Sequence, residues 1–461
     1  MKNAALSGKP YAGNPHVRFD EGEVASAKPR RGSLLYKFAS FGYQVSAAAF
    51  AVLSGAAFAA PRVDSEIGVA YDENNGLVTI SYTLLDEKAV VTVDMQTNTL
   101  ADATGDWVSV GDAHLRTLDG AVNRLVESVG TVQTATWHPD HDGIDSVAKF
   151  RAVVKAWSVT APPDWLVVGL ALANDVRFYT STNAFPFPLR GDDRYCVDYI
   201  VLRKIPAAGV TWRMGQKGGT GVLAPHNVTL TYDYYMGIYP ITQGQYENIR
   251  TDKVKNNNPS QYKGNLYMTT RHMQPQDMVT FTEFRGDCSA GAAYDWPTKG
   301  HDKVDPNSFL GKLRTLSGVE FDMPTEAQWQ YACRAGTGTK YYIGKDTLTA
   351  AERKAISCCN EESSTAERTM ARVGVRQPNA WGLCDFYGFL HDRCLDWYQA
   401  DITTGIDPEK GPESGSQDRV GCGGGWGTGI VDAQSATRNN VGFTASNYRG
   451  YRVMCPVSLK W

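Results

Sequence analysis

The sequence has no strong excess of charge of either sign. Its 46 basic and 49 acidic residues leave a formal net charge of −3, so no broad basic field is available to hold nucleic acid or an anionic membrane. Charged residues make up 21 % and apolar residues 42 % of the chain, which is ordinary for a globular protein. Nucleic acid is therefore not among the expected partners.

Cysteine is absent from the first 195 residues, although nine cysteines follow. The odd count leaves their connectivity open, and the adjacent Cys358 and Cys359 are poor partners for each other on geometry. Long amphipathic helical patterns and repeats of fixed period are also missing. Together with 45 glycines, 23 tyrosines and 11 tryptophans, these absences indicate a β-rich or irregular fold rather than a helical bundle.

Residues 1–60 predict an N-terminal extension with an export signal. Basic residues precede an almost wholly apolar run from 41 to 60, which ends on Ala57 and Ala59 in the small-x-small pattern that a signal peptidase accepts. A run of about 20 apolar residues is also long enough to anchor in a bilayer, but its polar residues favour cleavage. We expect an exported protein, in the periplasm, at the cell surface or secreted, with membrane contact only through an uncleaved signal segment.

Residues 61–206 show the alternation of apolar and polar side chains that is typical of half-buried strands. We predict strands over 77–84, 89–95, 148–157 and 165–172. Short strands at nearly regular spacing favour an all-β sandwich domain of immunoglobulin or fibronectin type.

One polar segment of this region has two interpretations. It reads His138-Pro-Asp140-His141-Asp142-Gly143 and contains two histidines and two carboxylates, which are ligands for divalent ions. Proline, aspartate and glycine are also turn-forming residues, and the spacing matches no named ligand pattern. A polar turn is the favoured interpretation, and a metal site is the alternative.

Six blocks between residues 212 and 453 resemble, in order, the formylglycine-generating enzymes and their sulfatase-modifying-factor domain. The blocks are Met214-Gly215, residues 226–246, Asn258-Pro259-Ser260, residues 321–332, residues 379–398 and residues 419–453. The most specific reads Phe-Asp-Met-Pro-Thr-Glu-Ala-Gln-Trp-Gln-Tyr-Ala. The resemblance implies that residues 207–461 form a C-type-lectin-like domain, so that the whole chain is of the α+β class.

Two helices are predicted inside this domain, over 308–316 and 325–334. In the second, Thr325 follows Pro324 and has the side chain of a natural N-cap.

The resemblance also indicates what the C-terminal segment lacks. The enzymes of the family need two cysteines just after a Gly-Gly-Ser-Trp/Tyr turn, to handle copper or oxygen. This chain has Thr428 and Ala433 at those places. We therefore expect no catalytic residues and no copper, and interpret the protein as an exported, non-catalytic ligand-binding or cell-surface protein. The alternatives are an oxidoreductase of the formylglycine-generating type with an altered active site, and a variable binding protein diversified by a retroelement.

The segment from 426 to 449 is the expected ligand-binding surface, because loops on a rigid scaffold usually carry binding sites. Its predicted contact residues are Trp426, Thr428, Asp432, Gln434, Arg438, Asn439, Asn440, Thr444, Asn447 and Tyr448. The sequence leaves open whether the ligand is a protein, a peptide or a glycan.

The resemblance further implies a structural calcium site at Asp385, Gly388, Leu390 and Asp392. Two carboxylates and two main-chain carbonyls are the hard oxygen ligands that calcium prefers. In the family, the segments that hold Cys422 and Cys455 are strands of one small core. A disulfide between these two cysteines is therefore the alternative to free, buried thiols, which we favour.

Overall fold

The computed structural model describes residues 60–457 apart from 99, 101–102, 145–148, 220, 255–257, 262–269, 361–370, 401–403 and 413–417. Residues 1–59, which hold the predicted export signal, lie outside the described part. Within the described part, no helix has both the length and the apolar character needed to cross a bilayer.

The N-terminal all-β region consists of two sheets that share buried clusters. Its strands are β1 (Arg62–Val63), β2 (Gly68–Asp72), β3 (Leu77–Leu85), β4 (Ala89–Asn98), β5 (Trp107–Ser109), β6 (Asp119–Gly120), β7 (Arg124–Val126), β8 (Val132–Trp137) and β9 (Phe150–Trp157). One sheet has the order β1-β3-β8-β6 with β2 also on β3, and the other has the order β5-β4-β7 with β9 also on β4. Every second residue of β3 is buried, as the sequence alternation predicts.

A central sheet of order β11-β10-β12-β15-β21 joins the two halves of the described chain. Its strands are β10 (Trp165–Gly169), β11 (Val176–Tyr179), β12 (Tyr199–Ile205), β15 (Tyr234–Gly237) and β21 (Met454–Pro456). Because β12 pairs with β15, the predicted domain boundary after residue 206 cuts through a sheet. Strands 165–205 thus share a core with the C-terminal half, and only the strands up to residue 157 form the separate pair of sheets. Alternation of apolar and polar residues predicts which residues of one strand are buried. It does not predict which strand lies beside it.

The C-terminal half adds two smaller sheets and six short helices among the described residues. The strands are β13 (Val210–Met214), β14 (His226–Leu230), β16 (His391–Trp397), β17 (Gly405–Ile406), β18 (Arg419–Cys422), β19 (Arg438–Val441) and β20 (Arg449–Gly450). They form sheets of order β13-β14-β17 and β19-β18-β16-β20. The helices are α1 (Gln243–Ile249), α2 (Thr251–Val254), α3 (Phe281–Phe284), α4 (Phe309–Ser317), α5 (Glu326–Arg334) and α6 (Ala350–Ile356).

Local capping chemistry fixes both helices that the sequence predicts. The Thr325 side chain accepts a hydrogen bond from the Gln328 amide, and the Gln328 side chain accepts one from the Thr325 amide, which makes a complete capping box for α5. Ser308 caps α4 in the same sense, by accepting from the Gly311 amide. The buried side of α5 places Trp329 and Cys333 in the main core, beneath the strands that hold the candidate site.

Candidate functional site

The glycine turn after β18 brings Thr428 and Ala433 to the same point. Gly424 has a φ of 73°, and a Cβ placed on it would lie 2.9 Å from Ala433 Cβ and 3.2 Å from Thr428 Cγ2. Only glycine fits there, because any side chain would meet both neighbours and adopt an unfavourable φ. The two positions at which the family resemblance implies thiols are therefore neighbours in space, and they present a hydroxyl and a methyl group.

The hydroxyl of Thr428 is used to close the turn. Thr428 Oγ1 accepts a hydrogen bond from the Gly425 amide at 2.9 Å, and the Thr428 amide donates to the Gly425 carbonyl. Asn360 holds the other side, since its Nδ2 donates to the Gly427 carbonyl at 2.9 Å and its amide donates to the Thr428 carbonyl. The turn is thus a rigid scaffold element in which Thr428 has a structural partner.

An aromatic patch lies beside this turn, and we define it as His391, Trp426, Asn447 and Tyr448. The rings of Trp426 and Tyr448 stack with centroids 4.5 Å apart and planes 13° apart. Trp426 Nε1 donates to the Asn447 carbonyl at 2.9 Å, and the His391 amide donates to the Tyr448 carbonyl. Tyr448 remains 39 % exposed, so the patch offers a fixed ring to solvent.

The sequence analysis did not predict His391 as a site residue, although it lies within the family-like block of residues 379–398. Its Nδ1 is buried and has no hydrogen-bond partner among the described residues. Burial lowers the pKa of His391 to about 4, and the cations of Arg449 and Arg393 act in the same direction. The imidazole is therefore neutral at physiological pH, and a ligand at the patch meets a donor-acceptor group rather than a charge. The sequence alone does not predict the lowered pKa of His391, because the burial that causes it arises only in the folded chain.

Eight of the ten predicted contact residues are at least partly accessible. Asp432, Asn440, Thr444 and Tyr448 are exposed, and Trp426, Thr428, Asn439 and Asn447 are partly exposed.

The remaining two, Gln434 and Arg438, are corrections to the sequence prediction, since they are 6 % and 2 % exposed. Gln434 accepts a hydrogen bond from Gln216 Nε2 at 2.5 Å and faces the interior. The sequence prediction included both residues in the binding surface only because they are polar.

Arg438 forms a buried ion pair instead of a ligand contact. Its Nη2 lies 2.7 Å from Glu326 Oε2, its Nη1 donates to the Gln399 carbonyl, and its guanidinium lies over the Tyr398 ring at 4.8 Å. Burial raises the pKa of Glu326 to about 7, while Arg438 acts in the opposite direction and Asp396 adds to the increase. Arg438 is thus the cation that compensates a carboxylate in the core.

Two of the predicted calcium residues, Asp385 and Asp392, each have one carboxylate oxygen that is buried without a hydrogen-bond partner among the described residues. This oxygen is Oδ1 in both, and both residues are buried. The Oδ2 atoms are engaged, since that of Asp385 accepts from the Gly374 amide at 2.6 Å and that of Asp392 from Trp329 Nε1 and Arg452 Nε at 2.9 and 3.0 Å. Burial raises the pKa of Asp385 to about 7. Two buried oxygens without partners fit a hard cation, because leaving them unpaired costs free energy.

The cysteines near the turn lie in separate parts of the core. Cys422 Sγ lies 3.9 Å from Cys394 Sγ, and both belong to the cluster around Trp329. Cys455 belongs to a different cluster, around Phe309. All nine cysteines are buried and lie outside any disulfide bond. Burial raises the pKa of Cys422, so this thiol is not an activated nucleophile.

Comparison with known proteins gives one family match and several partial relatives. A family model described as "Sulfatase-modifying factor enzyme 1-like domain" matches residues 204–456. The chain is similar to the formylglycine-generating enzyme of Thermomonospora curvata, at 31 % identity over 106 residues, which covers 20 % of this chain and 35 % of that protein. It is also similar to serine/threonine-protein kinase pkn1 of Chlamydia pneumoniae, at 33 % identity over 243 residues, covering 51 % of this chain and 35 % of that one.

The chain spans about a third of the length of these curated relatives. Among solved structures, Treponema denticola variable protein 1 matches with a TM-score of 0.43 and 21 % identity, and the match covers 56 % of this chain and 95 % of that one.

Proposed function

The chain belongs to the family of the sulfatase-modifying factor enzyme 1-like domain, and on that premise we propose that it is a non-catalytic, exported ligand-binding member of the family. One observation carries the proposal: the turn that places Thr428 and Ala433 against Gly424 is intact, but neither side chain has a thiol. The family and the C-type-lectin-like α+β fold after an all-β region agree with the sequence prediction. Export is supported by the apolar run from 41 to 60 and its small-residue ending.

The aromatic patch is the surface on which the ligand binds. Tyrosine and tryptophan are the residues most often found at the energetic centre of binding surfaces, because they bury a large area at low cost in conformational entropy. Trp426 and Tyr448 are held together by stacking, and Asn447 of the same patch is partly exposed and carries an amide group. A rigid aromatic surface with an amide beside it fits a peptide or glycan ligand, and the lack of a basic field argues against nucleic acid.

The non-catalytic part of the proposal is tested with a sulfatase-motif peptide. The purified protein is incubated with the peptide, copper and oxygen, and the peptide is examined by mass spectrometry, with the Thermomonospora curvata enzyme as a positive control. We expect no conversion of the peptide cysteine, because no thiol lies at the turn. Conversion above a no-protein control would favour the alternative, an oxidoreductase with an altered active site.

The binding part is tested on printed arrays of glycans and peptides. We expect the parent protein to bind a defined subset, and Tyr448→Ala to weaken that binding at least about tenfold, since a central aromatic contact is worth about 2 kcal/mol or more. Tyr71→Ala is the matched control, because Tyr71 is 48 % exposed on β2. Equal binding by the parent and Tyr448→Ala, or equal loss in both variants, contradicts a binding role for the patch.

The cofactor of this proposal is a structural calcium ion. Its ligands are the side chains of Asp385 and Asp392 and the carbonyls of Gly388 and Leu390. The two unpartnered Oδ1 atoms support it. Bound calcium would relieve the cost of burying the Asp385 carboxylate, whereas that of Asp392 already pairs with Arg452. Calcium that binds only the native state stabilises it by roughly 2.7 kcal/mol at 100 times Kd.

The calcium prediction is measured as the difference in melting temperature between calcium and chelator. We expect Asp385→Asn to abolish this difference, because asparagine keeps the shape of the side chain and removes one negative charge. Asp432→Asn, at an exposed aspartate, should leave the difference unchanged. A calcium shift of the same size in the parent and in Asp385→Asn would rule out the site.

A further inference from the structure

The turn between β8 and β9 gathers three side chains that carry metal-binding atoms. One donor atom from each of His138, Asp140 and His141 lies within 4.8 Å of the other two. The two imidazole rings stack with centroids 4.9 Å apart and planes 18° apart, and His141 Nε2 lies 3.8 Å from Asp140 Oδ2. We propose that these three residues form a site for a divalent transition-metal ion, of which zinc is the natural probe.

The fourth polar residue of this segment explains why the other three are available. Asp142 acts as an anchor through its Oδ2, which accepts from Trp137 Nε1 at 2.9 Å and from the amide and hydroxyl of Thr117 at 3.0 and 2.8 Å. The Nδ1–H of His114 donates to the Asp142 carbonyl at 2.6 Å. The two carboxylates of the segment therefore differ in role: Asp142 fixes the turn to the core, and Asp140 is left at the surface.

The backbone of the turn holds the donor residues in place before any metal binds. The amide of Asp142 donates to the carbonyl of Pro139 at 3.1 Å, and the amide of Ile144 donates to the same carbonyl at 2.8 Å. Gly143 donates to the Asp140 carbonyl at 3.1 Å. A turn closed in this way loses little conformational entropy when its side chains converge on an ion.

A second observation points to a ligand at this place. His138 Nδ1 is buried and has no hydrogen-bond partner among the described residues, which is uncommon for a ring nitrogen in a folded protein. Asp140 and His141 are exposed, so both side chains can rotate toward an ion next to His138. The donor atoms lie within 4.8 Å of one another, and tetrahedral zinc would bring them to roughly 3.3 Å.

The donor set selects the class of metal. Two neutral imidazoles and one carboxylate suit zinc and its first-row neighbours, whereas calcium and magnesium prefer sites made of oxygen alone. Three protein ligands leave a fourth position for water or for a group of a ligand molecule. The site is thus distinct in chemistry from the proposed calcium site, and the two are separable by the choice of metal.

The test is isothermal titration of zinc into protein made without a histidine tag, stripped with chelator and returned to a buffer with excess calcium. We expect one zinc ion per chain at pH 7.5. Asp140→Asn and His141→Ala should each weaken zinc binding at least about tenfold.

The matched control is His272→Ala, because His272 is a histidine of 43 % side-chain exposure that pairs with Glu247 elsewhere in the chain. This variant should bind zinc as the parent does. Circular dichroism melting in chelator shows whether each variant is folded. Because Asp140 and His141 are exposed, we expect their replacement to cost little stability. The proposal is overturned if the parent takes up no zinc, or if zinc uptake is the same in Asp140→Asn, His141→Ala and the parent.

Discussion

Replacing Arg438 with methionine is expected to lower the free energy of unfolding by about 3–5 kcal/mol, because one partner of a buried ion pair is removed. Arg438 is 2 % exposed and its guanidinium lies 2.7 Å from the Glu326 carboxylate. Burial raises the pKa of Glu326 to about 7, and Arg438 is the one cation that forms an ion pair with this carboxylate among the described residues. Methionine fills much of the volume, and the loss is therefore electrostatic rather than a cavity effect.

The measurement is urea unfolding at pH 7.5. Glu326→Gln combined with Arg438→Met should recover part of the loss, since the uncompensated charge is then gone. Arg213→Met, at an exposed arginine, should change stability by less than about 0.5 kcal/mol. Unchanged stability in Arg438→Met together with lost ligand binding would restore the sequence-based interpretation, in which Arg438 contacts the ligand.

Replacing Asp322 with alanine is also expected to lower the free energy of unfolding by about 3–5 kcal/mol. Asp322 and Arg285 are both fully buried and form two hydrogen bonds of 2.8 and 2.9 Å. His301 Nδ1 lies 2.8 Å from Asp322 Oδ2. The backbone of Asp322 also pairs with Met454 of β21, so Asp322 connects Arg285 to the central sheet.

The stabilisation by the Asp322 carboxylate is expected to decrease as the pH falls. Burial opposes the charged form of Asp322, but Arg285 and His301 outweigh it and hold the pKa of Asp322 far below its usual value of 3.8. The native state therefore binds fewer protons than the unfolded state, and the stabilisation is present above the unfolded pKa and is lost as the pH falls toward the depressed one. The difference between parent and Asp322→Ala should be full at pH 7 and should narrow below about pH 4.

Chemical denaturation at a series of pH values measures this difference. Asp302→Ala is the control, because Asp302 is 63 % exposed and pairs only with the neighbouring Lys303 among the ion pairs of the described residues. A difference that widens in acid would contradict the assignment of the ion pair as the origin of the stability.

The sequence determined those features that depend on residues close together in the chain. Strands β3 and β4 follow from alternation, because side chains of a strand point to opposite faces in turn. Helix α5 follows from the capping box of Thr325 and Gln328, which needs residues only three apart. The family follows from blocks that keep their order, and these blocks also identified Thr428 and Ala433 as the residues in place of thiols.

The tertiary structure decided which polar residues are exposed and which are buried with partners in the core. Arg438 lies in the core because Glu326, 112 positions away, is its partner, and His391 is neutral because of the packing around it. Asp140 and Asp142 are two residues apart and equivalent in the sequence, but only Asp142 meets Trp137 and Thr117. The central sheet likewise joins strands on both sides of residue 206. Burial, pairing and pKa depend on neighbours that are distant along the chain, and periodicity and capping carry no information about them.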